Sequence, residues 1–306
     1  MRVVVYLALA FSLALCLLVR REAPRMTPPR AVVSLATTAV LAAVAWVWNL
    51  ALLAWTLIGQ LTPVADAGHW SRLALARHDP VPAVAALAAV SLLLVAVTGA
   101  ARWTWHAAEQ LRYLVATARS RPAGTDDGLV VVDDARPRAV AVPGLPGRVV
   151  LTTGLVKALD GPERRVVLAH ERAHLRYRHG EIRLLVRLAA AVLPVLKAVV
   201  TECDYQLERW ADETATTVAD RRAVARALAR AALAGTTRQP VRQDLPAFAE
   251  HAVTRRVRAL LDAPPEGGAS HMLAPLAGLA VTAALTVEAS RDLEALFELA
   301  MRLWTR

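Results

Sequence analysis

Cysteine is nearly absent from this chain. Among 306 residues there are two, Cys16 and Cys203. One lies in an apolar run and the other in a polar region, which argues against a disulfide and against a cysteine-built zinc site. Lysine is as scarce: Lys157 and Lys197 are the only ones, so the net charge of +10 is carried by arginine. Aromatic residues make up 5 %. A basic chain can bind nucleic acid, but that needs a contiguous arginine face with aromatic platforms, and no stretch supplies one. No direct nucleic-acid binding is expected. Much of the arginine instead flanks apolar segments, as membrane topology requires.

Charge is missing from several long runs. Hydrophobic residues make up 56 % and mean hydropathy is +0.38, which fits a membrane-embedded part joined to one polar domain. Residues 3–19, "VVVYLALAFSLALCLLV", carry no charge. A signal peptide is the competing reading. No A-x-A cleavage site follows, and "RRE" ends the run as a transfer stop would, so a retained span is favoured. Residues 31–59 are long enough to cross with tilt, and residues 81–101 form a third span followed by Trp103 and Trp105. Residues 272–287 contain Pro275; they read as a fourth span or as a buried helix. The bias to arginine, alanine and valine suggests a bacterial source, hence a multi-pass protein of the bacterial cell membrane in contact with lipid.

Arginine in the short loops sets the expected orientation. The first loop has Arg20, Arg21, Arg25 and Arg30 against Glu22. The second has Arg72 and Arg77 against Asp66 and Asp79, and Arg102, Arg112, Arg119 and Arg121 against Glu109 follow the third span. Positive charge stays inside. The N-terminus is therefore expected outside the cell, with residues 1–101 forming three spans and residues 102–271 a cytoplasmic domain. Residues 288–306 would be a short extracytoplasmic tail, lying on the surface or forming a short solvated helix.

Within the polar region, "LVVVDD", "RAVAVPG" and "RVVLTT" read as strands separated by turns. Then "DGPERRVVLAHERAHLRYRHG" reads as one capped helix. Asp160 is the N-cap, Pro162 sits in the first turn, Glu163 completes a capping box, and Gly180 is a natural stop. His170 and His174, four apart, project from one face, where two imidazoles can reach one Zn²⁺ at roughly 2.0–2.1 Å. Glu171 lies beside the open position, placed to act as general base on an attacking water. Downstream, "ECDYQLERWADETA" offers Glu208 as a third ligand and Asp212, one turn on, as an acceptor for a ligand histidine's spare N–H. The plain alternative for each motif is a solvated helix face.

Together, "VVLAHERAHLRYRHG" and "ERWADETA" resemble the gluzincin membrane metallopeptidases, over about residues 135–220. The nearest resemblance is to the M56 family, the BlaR1/MecR1 type; the M48 family, the Ste24/HtpX type, is related. The resemblance implies an α-helical membrane protein with an α+β gluzincin zinc-metalloprotease domain and about four transmembrane helices. It implies one Zn²⁺ on His170, His174 and Glu208, with Glu171 as general base and Asp212 behind the ligands. It implies a substrate-binding edge strand at Ala139, Val140, Ala141 and Val142. Arg256 resembles a family arginine that stabilises the transition state; Tyr205 and His251 are rivals for that role, and a surface or packing role is open for all three. A protein substrate is implied, plausibly a BlaI-type transcriptional repressor in signal transduction. The external penicillin-binding domain of the antibiotic sensors is not expected here. The alternatives are a Ste24/HtpX-like membrane protein quality-control protease and a non-catalytic zinc-binding membrane sensor.

One segment tests this reading. Residues 184–200, "LLVRLAAAVLPVLKAVV", lie between the two metal motifs and look like a span. A single crossing would put Glu208 on the opposite side from His170 and His174. Two crossings need about 20 residues each. If one metal binds all three, this segment is a buried helix of the domain or one lying at the membrane face. His69, His78, His106, His179 and His271 are not expected as ligands; His179 would be satisfied by solvent or a last-turn carbonyl.

Overall fold

A computed structural model describes residues 3–119, 128–144, 147–236, 246–263 and 270–304. Side chains at 113–119, 235–236 and 246–251 lie outside the description. Helix α1 is Val4–Glu22 and α2 is Pro28–Ile58, opened by Pro28 and Pro29 after an extended Thr27. Two short helices follow, α3 (Thr62–Gly68) and α4 (Arg72–His78). Helix α5 runs Ala83–Arg119, so the third apolar run is the first half of a longer helix. The sheet comprises β1 (Leu129–Val132), β2 (Ala139–Val142) and β3 (Arg148–Thr152). Then come α6 (Thr153–Ala158), α7 (Gly161–Arg176), α8 (His179–Val192), α9 (Lys197–Ala215), α10 (Arg221–Thr236), α11 (Pro246–Leu261) and α12 (Ser270–Arg302).

Four described helices are long and apolar enough to cross a membrane: Val4–Arg25 with its short extension, Pro28–Ile58, Ala83–Arg112 and Ser270–Arg302. Helices satisfy their backbone polar groups internally, as a bilayer core demands. The four are compatible with a multi-pass membrane protein. They alternate in direction. Glu22 meets His271 at 3.0 Å at one end, while Val5 shares a core cluster with Leu293, Phe297 and Ala300 at the other. Two polar pairs tie α2 to α12: Asn49 Nδ2 donates to Thr286 Oγ1 (2.9 Å) and Trp48 Nε1 to Ser290 Oγ (2.9 Å). Gly278 lets α12 lie close on α1, since a Cβ there would come within 2.6 Å of Leu15.

The expected tail is corrected by α12, which continues unbroken to Arg302. Leu293, Phe297 and Ala300 are buried, and Phe297 packs edge-on against Trp70 with ring centroids 4.9 Å apart. The apolar stripe of this stretch therefore packs against α4 and the start of α1 as a continuation of α12.

Residues 184–200 do not form one helix. Helix α8 stops at Val192, a single 3-10 turn spans Pro194–Leu196, and α9 starts at Lys197. Pro194 lacks the N–H that would extend α8. Val186, Ala189, Leu193, Leu196 and Val199 join Val19, Met26, Leu35 and Ala39 of the first two spans in one core cluster. Gly99 of α5 adds a close approach, its absent Cβ lying 2.5 Å from the Ala191 carbonyl oxygen. The apolar run is thus a pair of helices, broken at Leu193–Leu196 and packed against the first half of α2 and against α5.

The helix cap at Asp160 is as the sequence reads: its carboxylate accepts from Glu163 N–H at 2.8 Å and Glu163 accepts from Asp160 N–H at 3.0 Å. The stop at Gly180 is corrected. α7 ends at Arg176, Arg178 takes the left-handed conformation (φ 53°), and Gly180 falls in the first turn of α8. The turn therefore comes two residues early, on an arginine.

Candidate metal centre

Helix α7 carries His170 and His174 one turn apart, and α9 brings Glu208 across to them. Their Nε2 atoms lie 3.1 Å apart. Glu208 Oε2 is 3.3 Å from His170 Nε2, and Oε1 is 3.6 Å from His174 Nε2. One donor atom from each residue falls within 4.8 Å of the others.

The far sides of the rings decide what the near sides offer. His170 Nδ1 lies 3.0 Å from Asp212 Oδ1, so it donates there and turns Nε2 to the centre. His174 Nδ1 lies 2.8 Å from His179 Nδ1. The tautomer in which His174 donates leaves its Nε2 lone pair facing His170. Without a metal, the Asp212 and Glu208 carboxylates hold a proton on His170. A dication would take that proton's place, and two imidazoles with one carboxylate are a zinc donor set. The residues fit Zn²⁺.

His179 corrects the expectation that solvent or a carbonyl satisfies it. It is fully buried, stacked near Tyr177 and Trp210, and joined to a ligand candidate. The left-handed turn at Arg178 swings it inward. A third histidine five residues after His174 is the signal that was there to be read.

Two arginines hold the acids. Arg256 on α11 donates through Nε and Nη2 to the two Asp212 oxygens (2.8 and 2.7 Å), and its Nη1 is 3.1 Å from Glu208 Oε2. Arg183 on α8 bridges Glu208 and Asp204. Arg221 fixes α11 in place, donating to the Leu260 and Ala259 carbonyls at 2.9 Å while gripping Glu213. Of the three residues proposed to stabilise a transition state, Arg256 reaches the centre, where it braces Asp212 and Glu208. The Tyr205 hydroxyl turns instead to the Arg255 carbonyl at 3.5 Å, with the Arg255 guanidinium over its ring. The His251 side chain lies outside the described residues.

Electrostatics follow this wiring. Burial alone would lower the His170 pKa, but the carboxylates of Asp212 and Glu208 outweigh it and raise it to about 9. Burial opposes ionisation of Glu208 and Asp212, yet His170 and Arg256 hold both carboxyls below their ordinary values. Burial lowers His174 to about 3 and, with Arg183, His179 to about 4, so both are neutral imidazoles. Burial pushes the Glu171 carboxyl up, partly offset by His170 and by a hydrogen bond from the Ala141 backbone.

That last bond joins the centre to the sheet. Strand order is β1-β3-β2, with β1 parallel and β2 antiparallel to β3, so β2 is an edge. Thr152 N–H donates to the Arg138 carbonyl (3.0 Å). By alternation, Val140 and Val142 also pair with β3, while Ala139 and Ala141 present their N–H and C=O groups to the other edge, where the Ala141 N–H meets Glu171. A cleft of about 750 Å³ runs between this edge and α7, lined by His170, Glu171, His174, Glu208 and Arg183 among others. An extended peptide can add to that edge and lie over Glu171.

A scan against protein-family models matches residues 114–295 to peptidase family M48. No curated protein and no solved structure matches the chain. The matched segment covers more than half the chain and holds both helices that supply the cluster. On that match, the chain belongs to peptidase family M48.

Proposed function

We propose that this protein is a membrane-embedded, zinc-dependent endopeptidase of gluzincin type, cutting a polypeptide bound along β2. The observation that carries it is the convergence of His170, His174 and Glu208 beside Glu171 under an open strand edge. Zn²⁺ held there would polarise a peptide carbonyl, lower the pKa of water and steady negative charge on oxygen. The remaining work falls to the chain. Ala139 and Ala141 orient the substrate backbone. Glu171 accepts a proton from the attacking water and delivers it to the leaving amine. Asp212 and His179 fix the ring orientations of His170 and His174, and Arg256 keeps Asp212 and Glu208 ionised.

The arginine counts support a cytoplasmic peptidase domain and an extracytoplasmic N-terminus, since Arg20, Arg21, Arg25 and Arg102 lie at the bundle end that carries the site. The family match favours a Ste24/HtpX-like role in membrane protein quality control. A second reading, cleavage of a BlaI-type repressor as in M56 signalling, draws on the arrangement of three spans before the domain and one after it. Cells carrying wild type or Glu171→Gln separate these. New N-termini that need the glutamate should appear in many membrane proteins on the first reading and in one repressor on the second. Identical sets of N-termini would refute proteolysis.

A further inference from the structure

Helices α2 and α12 leave an open groove of about 470 Å³ along the surface of the bundle. Its walls are Leu41, Val44 and Trp48 from α2 and Leu279, Ala283 and Val287 from α12. Leu41, Val44, Trp48 and Val287 are exposed. The hydroxyls along the groove are already engaged. Thr282 Oγ1 donates to the Gly278 carbonyl at 2.9 Å, and Thr286 Oγ1 accepts from Asn49 at 2.9 Å. Ser290 Oγ accepts from Trp48 and donates to the Thr286 carbonyl, both at 2.9 Å. A polar guest here would lose water against walls with little to offer in return, whereas hydrocarbon loses nothing.

Charge enters at one end only. Arg291 and Glu294 close the groove about 30 Å along α12 from Ser270, at 1.5 Å per residue. Arg291 stands between carboxylates three positions before and three after it. Glu288 is 3.7 Å away, and both of those side chains are largely exposed. Glu294 makes no hydrogen bond or ion pair among the described residues. The Trp48 indole lies at the same end, as an aromatic ring does at a membrane–water boundary.

A guest with a hydrocarbon tail and a charged head matches this gradient. A purely anionic head would meet Arg291 but also two carboxylates. A head with a phosphate and a primary ammonium satisfies both signs, the phosphate on Arg291 and the ammonium on Glu294. A quaternary ammonium would bring no N–H to donate. A packed helix is the poorer fit, because such contacts use small residues and these walls are Leu41, Val44, Trp48 and Val287.

We infer that this groove binds one phospholipid of the phosphatidylethanolamine class, with an acyl chain between Val44 and Ala283 and the headgroup on Arg291 and Glu294. The site is separate from the metal centre and needs no peptidase activity, only that the bundle lies in a membrane.

The test uses full-length protein in detergent, titrated with phosphatidylethanolamine, phosphatidylglycerol or phosphatidylcholine of identical acyl chains, with bound lipids counted by native mass spectrometry. Wild type should hold one phosphatidylethanolamine at least roughly tenfold more tightly than either of the others. Ala283→Trp fills the groove and should abolish that preference; Ala283 is exposed, so the ring need not enter the bundle core. Val44→Trp, on the opposite wall, should do the same. Glu288→Lys combined with Glu294→Lys should turn the preference to phosphatidylglycerol. Phosphatidylethanolamine should also raise the unfolding temperature of wild type and leave that of the two tryptophan variants where it was. The inference is overturned by equal binding of the three lipids, by a preference that survives in both tryptophan variants, or by one that the two lysines do not move. A dimer that both tryptophan variants dissociate would assign the groove to a second copy of the chain and overturn it as well.

Discussion

The spanning bundle and the metal centre are built on opposite terms. In the bundle, α1, α2, α5 and α12 meet through alanine, leucine and valine, with polar ties such as Asn49–Thr286 and Trp48–Ser290 between them. Many side chains could be exchanged for others of similar volume. In the centre, Asp212, Arg256, Glu208, Arg183, His170, His174 and His179 form one continuous set of hydrogen bonds and ion pairs. Each group there is held by a group that is itself held. The difference teaches where precision is needed: the bundle must reach across and return, whereas the centre must fix three donor atoms to within fractions of an ångström.

The contrast can be broken from the largest effect down. Replacing His170 or His174 with alanine should remove zinc from the purified protein and abolish hydrolysis, as metal analysis and a peptide assay would show; full zinc content in both variants would break the assignment. Asp212→Asn and His179→Ala should each weaken zinc binding by roughly 10–100-fold, measured by competition with a chromogenic chelator. Asp212→Asn should also lower thermal stability, because it leaves the buried Arg256 guanidinium with a weaker partner. In the bundle, Gly278→Leu must displace Leu15 and should cost about 1–3 kcal/mol in an unfolding titration. Asn49→Leu should be milder, about 0.6 kcal/mol, with zinc content unchanged. Loss of zinc in Asn49→Leu would erase the contrast.

A reporter experiment sharpens the link between the two regions. Fusions near Asp160 and near Ser270 should give the same cytoplasmic signal on the proposed topology, because one metal must meet α7 and α9 on the same side of the membrane. Opposite signals would separate Glu208 from the histidines.

The centre was legible where chemistry fixes spacing. His174 follows His170, and Asp212 follows Glu208, by four positions because that is about one helix turn, and Asp160 with Glu163 announces the helix start. The demand that one metal meet both helices also excluded a span at 184–200. What escaped depends on tertiary packing. His179 turns inward because Arg178 takes a positive φ, a conformation that sequence reading assigns to Gly180. Arg256 could not be read as a brace, since its partner Asp212 lies 44 positions away. The tail of α12 looked solvated because its buried stripe is narrow and flanked by Glu294, Glu298 and Arg302.

The central claim is that His170, His174 and Glu208 hold the metal while Glu171 moves the proton. It is tested most directly by purifying full-length Glu171→Gln and measuring zinc content and peptide hydrolysis on the same sample. One zinc per chain with hydrolysis down by roughly 10²–10⁴-fold is the predicted result. Hydrolysis at the wild-type rate in that variant would contradict it.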